Sequence, residues 1–231
     1  MVLNEIFTKL LDSYSYQGWW PITDYEGENP TKTGSTQGYH PEDYSFPRNS
    51  LQKFEIIVGA VLTQNTSWPQ VEKSIINLKE AISLTPFEIL NMDENEFKSA
   101  IKPSGYYNQK YNYLRNISQF YISLQGSTPL RKDLLSVKGI GPETADSILL
   151  YAYGEKEFVV DAYARRIFSH LGLINKKDSY NKIKKLFEEN FDGEVNDYQE
   201  YHALIVEHAK NYYFKKPYGA DDNILNNFKV K

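Results

Sequence analysis

Residues 134–166 read LLSVKGIGPETADSILLYAYGEKEFVVDAYARR, and the fold turns on how this stretch is parsed. Leu134, Leu135 and Val137 close one helical pattern, Gly139-Ile140-Gly141 makes a tight turn, and Pro142 stands where a first-turn proline is preferred. The pattern predicts a helix-hairpin-helix. Glycines at 139 and 141 permit positive φ and leave no side chain in the way, so amides at the next helix start can approach a phosphate closely. The turn therefore reads as a sequence-independent grip on a nucleic-acid backbone. Ala145, Ile148, Leu149 and Ala152 then space out one buried helical face.

Asp161 follows three apolar residues, Phe158-Val159-Val160, an unusual frame for a surface acid. Two compatible readings stay open: an N-cap for a helix over Ala162 to Leu171, and a functional carboxylate whose charge backbone amides hold.

Composition narrows the classes. A chain of 231 residues with 41% apolar and 15% aromatic content can bury a real core, which excludes a mostly disordered protein. No apolar run approaches the ~18 residues of a membrane span, and the start MVLNEIFTKLLDSY lacks a basic region and cleavage site. The expectation is a soluble, intracellular protein, cytoplasmic or nucleoid-associated. Without cysteine there is no disulfide or thiolate-held metal, and His40, His170, His202 and His208 show no ligand spacing, so no metal and no cofactor are expected. The net charge of −4 is unevenly spread: residues 1–55 hold eight acids and four bases, whereas Lys98 to Lys185 holds fifteen Lys or Arg against seven Asp or Glu. The basic half coincides with the hairpin, as a phosphate footprint would, although Lys176 to Lys185 also suits the solvated face of a helix.

Helical periodicity recurs along the chain: Asn4 to Tyr14, Leu51 to Gln64, a helix from Trp68-Pro69 through Leu78, Pro86 to Leu90, Asp93 to Ala100, a helix after Tyr106 reaching Leu124, Lys132 to Val137, Pro142 to Tyr153, Ala162 to Leu171, Tyr180 to Asn190 and Tyr198 to Phe214. Strand signals are nearly absent, so the expectation is all-α with roughly ten helices. Ile22 to Ser50 has no period and reads as a long loop or lid. Trp19 and Trp20 before it read as anchors of a domain contact, and Asp221 to Lys231 as a loosely held tail.

VKGIGPETA followed by VVDAYARRI resembles the hairpin and aspartate signature of the endonuclease III superfamily of DNA base-excision glycosylases. The likeness runs from about Phe54 to Ala209. It implies two helical domains, residues 51–155 as a six-helix barrel-like domain and residues 1–50 with 156–231 as a second, and a cleft between them for the flipped base. Asp161 would be the catalytic carboxylate. Gln64, in FEIIVGAVLTQNTSW, would enter the space left by the extruded nucleotide, and Tyr106, in IKPSGYYNQK, would wedge into the duplex. Lys138, Gly139, Ile140, Gly141 and Thr144 would meet the DNA backbone. Packing at a helix end is the plainer reading of Gln64 and Tyr106.

Two departures bear on the chemistry. Members that also cut the strand carry a lysine in the hairpin where this chain has Glu143, and a carboxylate cannot form an imine. Members with an iron–sulfur cluster carry four cysteines where this chain reads KKPYGADDNILNNF. Among cluster-free, lysine-free members, WWP, LTQNT, PSGYYNQK and KGIGPETADSIL are most similar to the endonuclease III-like 3-methyladenine DNA glycosylases. That likeness implies a base pocket of Trp19, Trp20, Pro21 and Trp68 with Glu143 beside it, a monomer acting on double-stranded DNA with a damaged base, and no membrane partner. The alternatives are a glycosylase for uracil, mismatched or oxidised bases, and an inert helix-hairpin-helix module.

Overall fold

The computed structural model describes residues 1–230, and Lys231 lies outside them. Eleven α-helices and no β-strand occur among the described residues: α1 (Val2–Tyr14), α2 (Ser50–Leu62), α3 (Trp68–Ala81), α4 (Pro86–Asn91), α5 (Glu94–Ile101), α6 (Tyr107–Ser123), α7 (Arg131–Ser136), α8 (Pro142–Ile148), α9 (Ala162–His170), α10 (Tyr180–Asn190) and α11 (Val195–Tyr212). Their starts are written in the sequence. Asn49, Thr85, Asp93 and Ser179 cap α2, α4, α5 and α10 with their side chains, and prolines open α3, α4 and α8. After Ile148 the expected continuous helix loosens into a π-helical turn, Leu149–Tyr153. No helix is long and apolar enough to cross a membrane among the described residues.

The chain divides into two compact units. One comprises Trp20–Tyr39 and Ser45–Glu155; the other comprises Met1–Trp19, His40–Tyr44 and the chain from Lys156 onward. In the first, α2 is the hub, buried from Phe54 to Leu62. A carboxylate within that run, Glu55, is satisfied by the amide and hydroxyl of Thr23, each 2.7 Å from Oε1, and by Lys79 Nζ at 2.6 Å from Oε2. An unpaired buried charge would cost several kcal/mol, so this triad ties the segment after Trp20 to α2. Asn29 knots that segment further, donating to the carbonyls of Thr33 and Ser35 and accepting from Thr31. Residues 20–39 and 45–50 therefore pack with residues 51–155, a different allocation from the expected union of 1–50 with the C-terminal part. The expected loop is irregular but closely held.

In the other unit α11 is the hub, buried from Tyr198 to Ala209. Phe158 stacks on Phe187 at 3.9 Å, and Tyr201 packs edge-on against Phe158, Phe168 and Phe187. The C-terminal segment is pinned rather than loose. Asp222 accepts from Tyr213 and from the amides of Ile224 and Leu225, lies 2.9 Å from His208 Nε2, and is fully buried. Of the polar residues in 221–230, Asp222 turns inward to this network, whereas Asp221, Asn223, Asn226, Asn227 and Lys229 are exposed. That segment has no cysteine and does not fit an iron–sulfur cluster.

Candidate functional site

Asp161 ends the extended run Phe158–Val160 and caps α9, its Oδ1 accepting from the Ala164 amide at 2.7 Å. It is buried, and burial pushes its carboxyl up to about 6 against the opposing pull of the Ala164 and Tyr163 amides and the Arg166 charge. The cap reading holds, and the capping carboxylate is itself held where water is scarce. At neutral pH it is mostly ionised but poorly solvated, so its charge is available to a cation placed beside it.

His202 of α11 faces this group, with Nε2 3.9 Å from Oδ2, too far for a hydrogen bond. Burial lowers the imidazole to about 3, so it is neutral throughout the working range and supplies no counter-charge. Trp19 meets the same imidazole edge-on, ring centres 5.6 Å apart. Trp19, His202 and Asp161 thus form one aromatic-walled acidic corner. Sequence spacing could not have found His202, which lies 41 residues beyond Asp161 on another helix; the only signal is a histidine within a helix buried on every side.

The hairpin belongs to the other unit. Arg131 on α7 donates from Nε and Nη2 to the two oxygens of fully buried Asp146 on α8, at 2.6 and 3.1 Å, and clamps the helix pair. The two glycines differ in purpose. Gly139 has φ +103, and a Cβ there would lie 2.2 Å from the Tyr113 ring, so folding alone demands glycine. Gly141 has φ −88, which any residue adopts, and a Cβ would meet open space. The positive φ that glycine permits is used at 139 and not at 141. Nothing within the protein requires glycine there, and its bare position leaves the first-turn amides of α8 accessible.

Ile140 and Thr144 point inward, so either can offer a phosphate only its backbone. Lys138, Pro142 and Glu143 are exposed around the turn. Gln64 also lies against the hairpin: its Nε2 donates to the Gly139 carbonyl and to Thr144 Oγ1, both at 3.0 Å. As placed it braces the turn from the end of α2, and entering a duplex would require both bonds to break.

Tyr106 is 64% exposed and left-handed, with φ +47 after Gly105 at φ +70. A non-glycine residue in this region costs roughly 1–2 kcal/mol, which surrounding structure must offset. Lys110 supplies that support. Its Nζ is buried and donates to the carbonyls of Ser104 at 2.7 Å and Leu62 at 2.8 Å, joining the turn that presents Tyr106 to the end of α2. Burial lowers this amine to about 8. Lys110 lies within the quoted motif, yet its role as a strut was not legible there.

Of the expected aromatic pocket, Trp20 and Trp68 come together. They meet edge-on at 5.4 Å, and Tyr151 of the π-helical turn joins at 5.2 Å. Gly59 makes room, since a Cβ there would sit 2.9 Å from the Trp20 indole nitrogen. Pro21 is buried beside them in sequence. The Trp68 indole N–H is buried with no acceptor among the described residues. Trp19 falls in the other unit, so the unit boundary passes between the paired tryptophans.

The family model described as HhH-GPD superfamily base excision DNA repair protein matches residues 58–192. A Methanocaldococcus jannaschii protein, provisionally named a DNA repair glycosylase, is 42% identical over 226 residues, spanning 93% of this chain and 90% of its own. The solved structure of H. pylori 3-methyladenine DNA glycosylase bound to 1,N6-ethenoadenine is similar at 31% identity and a TM-score of 0.61, covering 68% of this chain and 85% of that one. A non-covalent endonuclease III–DNA complex, at 20% identity and a TM-score of 0.67 over 78% of this chain and 83% of its own, is similar in fold alone. This chain belongs to the HhH-GPD superfamily of base excision DNA repair proteins and is a DNA repair glycosylase of that family.

Proposed function

We propose that the protein binds duplex DNA and hydrolyses the N-glycosidic bond of a flipped, damaged base without cutting the strand, releasing 3-methyladenine or related alkylated purines. The observation that carries this is Asp161, a buried carboxylate at the start of α9 with no cationic partner in hydrogen-bond contact. Cleavage of the glycosidic bond leaves positive charge on the sugar. An under-solvated carboxylate stabilises that charge and can orient the incoming water. An N-alkylated purine is already cationic and leaves readily, so electrostatic help of this kind is sufficient.

Glu143 supports hydrolysis without strand cutting, because it stands on the exposed first turn of α8 and offers no amine to attack the sugar. The hairpin amides around Gly141 would take a phosphate, Tyr106 would fill the stack, and Trp20 with Trp68 would favour a flat cation, worth ~0.5–2 kcal/mol. One observation favours a second reading: the unpartnered indole N–H of Trp68 is a fixed donor of the sort that reads a base carbonyl, as in uracil. Incubation with duplexes bearing 3-methyladenine, uracil or an oxidised base, with the freed base identified by mass spectrometry, separates the two. Release of alkylpurine supports the first reading, and release of uracil alone replaces it with the second.

A further inference from the structure

A second buried acid in the unit that carries Asp161 has no part in the chemistry proposed above. Glu200 of α11 is buried, and its carboxylate turns toward the chain that leads to Trp19. Oε2 accepts from the Gln17 amide at 2.7 Å, and Oε1 accepts from the Gly18 amide at 3.2 Å and, more weakly, from the Tyr44 hydroxyl at 3.4 Å. Burial pushes this carboxyl above its ordinary range, against the opposing pull of the two amides. A backbone carbonyl satisfies an amide without that cost, as the Gly18 carbonyl does for the His40 amide at 3.1 Å. What the carboxylate adds is a charge-assisted grip on two successive amides, which fixes the direction of the chain as well as pairing its donors.

Gly18 is held from its other side as well. It lies at φ +65, and a Cβ there would come 2.2 Å from the Pro41 nitrogen and 2.3 Å from the His40 carbonyl carbon. The path of the chain is therefore settled at Gly18, and the next side chain is Trp19. Its indole meets the His202 ring edge-on, with centres 5.6 Å apart and planes at 87°, and His202 Nε2 lies 3.9 Å from Asp161 Oδ2. Glu200 and His202 stand two residues apart on α11, so one helix holds both the root of Trp19 and the ring against which its indole stops. Loosening that root would let the indole shift, and a displacement of about 1 Å near a reacting group can cost on the order of 10²-fold in rate.

We infer that Glu200 is a positioning residue for base excision: through the Gln17 and Gly18 amides it sets Trp19 as the wall that holds the damaged base beside Asp161. The inference rests on the glycosylase reading above, and its test separates the two. Glu200→Gln keeps the shape but puts a donor where one of the two acceptors stood. Glu200→Asp keeps the charge and draws it back by one methylene, and it carries the test where melting curves show that the first variant does not fold. Single-turnover release of 3-methyladenine from a methylated duplex should fall roughly 10–100-fold in each folded variant. Affinity for a duplex with a non-cleavable abasic analogue, which puts no base against Trp19, should stay that of wild type. Trp19→Ala should lose at least as much release, and in that background either Glu200 variant should add almost nothing, since the ring that Glu200 steers is gone. A full-sized further loss in the Trp19→Ala background, a matching loss of affinity for the abasic analogue, or wild-type release by the folded variants overturns the positioning role and leaves the glycosylase reading intact. A wild type that frees no base from any lesion duplex overturns both.

Discussion

Replacing Asp161 by asparagine should make the protein more stable and much less active. The amide keeps the shape and the acceptor for the Ala164 amide, and asparagine caps a helix about as well as aspartate. What it removes is a charge that folding disfavours. Burial raises the carboxyl from its ordinary 3.8 to about 6, so its contribution to stability is greatest below pH 4 and is lost as pH rises through 6. Above pH 7 the ionised group costs on the order of 2–3 kcal/mol, since each pKa unit is worth about 1.4 kcal/mol. Asparagine escapes this cost, and in a chain of this size 1 kcal/mol shifts Tm by roughly 2–4 °C. Melting curves at pH 7.5 should therefore put Asp161→Asn several degrees above wild type, and the gap should close by pH 4. Single-turnover base release by the same variant should fall on the order of 10²–10³-fold, with duplex affinity retained. A variant less stable than wild type at pH 7.5, or a gap independent of pH, would refute the burial argument. Turnover within a few-fold of wild type would reduce Asp161 to a helix cap.

Further outcomes follow from other parts of the site. Wild-type single-turnover rates should drop on the acid side with a midpoint near pH 6 as Asp161 takes up a proton, and His202, lowered to about 3, should add no second limb above pH 4; a flat profile from pH 5 to 8 contradicts this. Gly141→Ala should weaken duplex binding several-fold while costing less than ~1 kcal/mol of stability, whereas Gly139→Ala should lower Tm by several degrees through its collision with Tyr113; equal effects of the two on folding would remove the distinction. Trp68→Phe keeps an aromatic wall but deletes the unpartnered N–H, so alkylpurine release should stay within about threefold; a large loss would show that the donor reads the base.

Much of this molecule can be read in one dimension because its helix starts are chemical: Asn49, Thr85, Asp93, Asp161 and Ser179 each cap the helix that follows. The hairpin is legible for the same reason, since GIGP specifies a turn and a helix start within four residues. What escapes such reading are pairings across distance. Glu55 with Thr23 and Lys79 settles which unit the segment after Trp20 joins, and no local period marks it. Asp222, in a polar tail, becomes fully buried only through groups on α11 and beyond. His202 beside Asp161 and Lys110 beneath Tyr106 are long-range encounters of the same kind.

The most direct test of the account is to incubate the protein with duplexes bearing single lesions, with and without borohydride, and to follow both the freed base and the strand. Free 3-methyladenine, an intact strand with an alkali-labile abasic site, and no covalent adduct are expected. A borohydride-trapped protein–DNA adduct, or no base freed from any duplex, would contradict it.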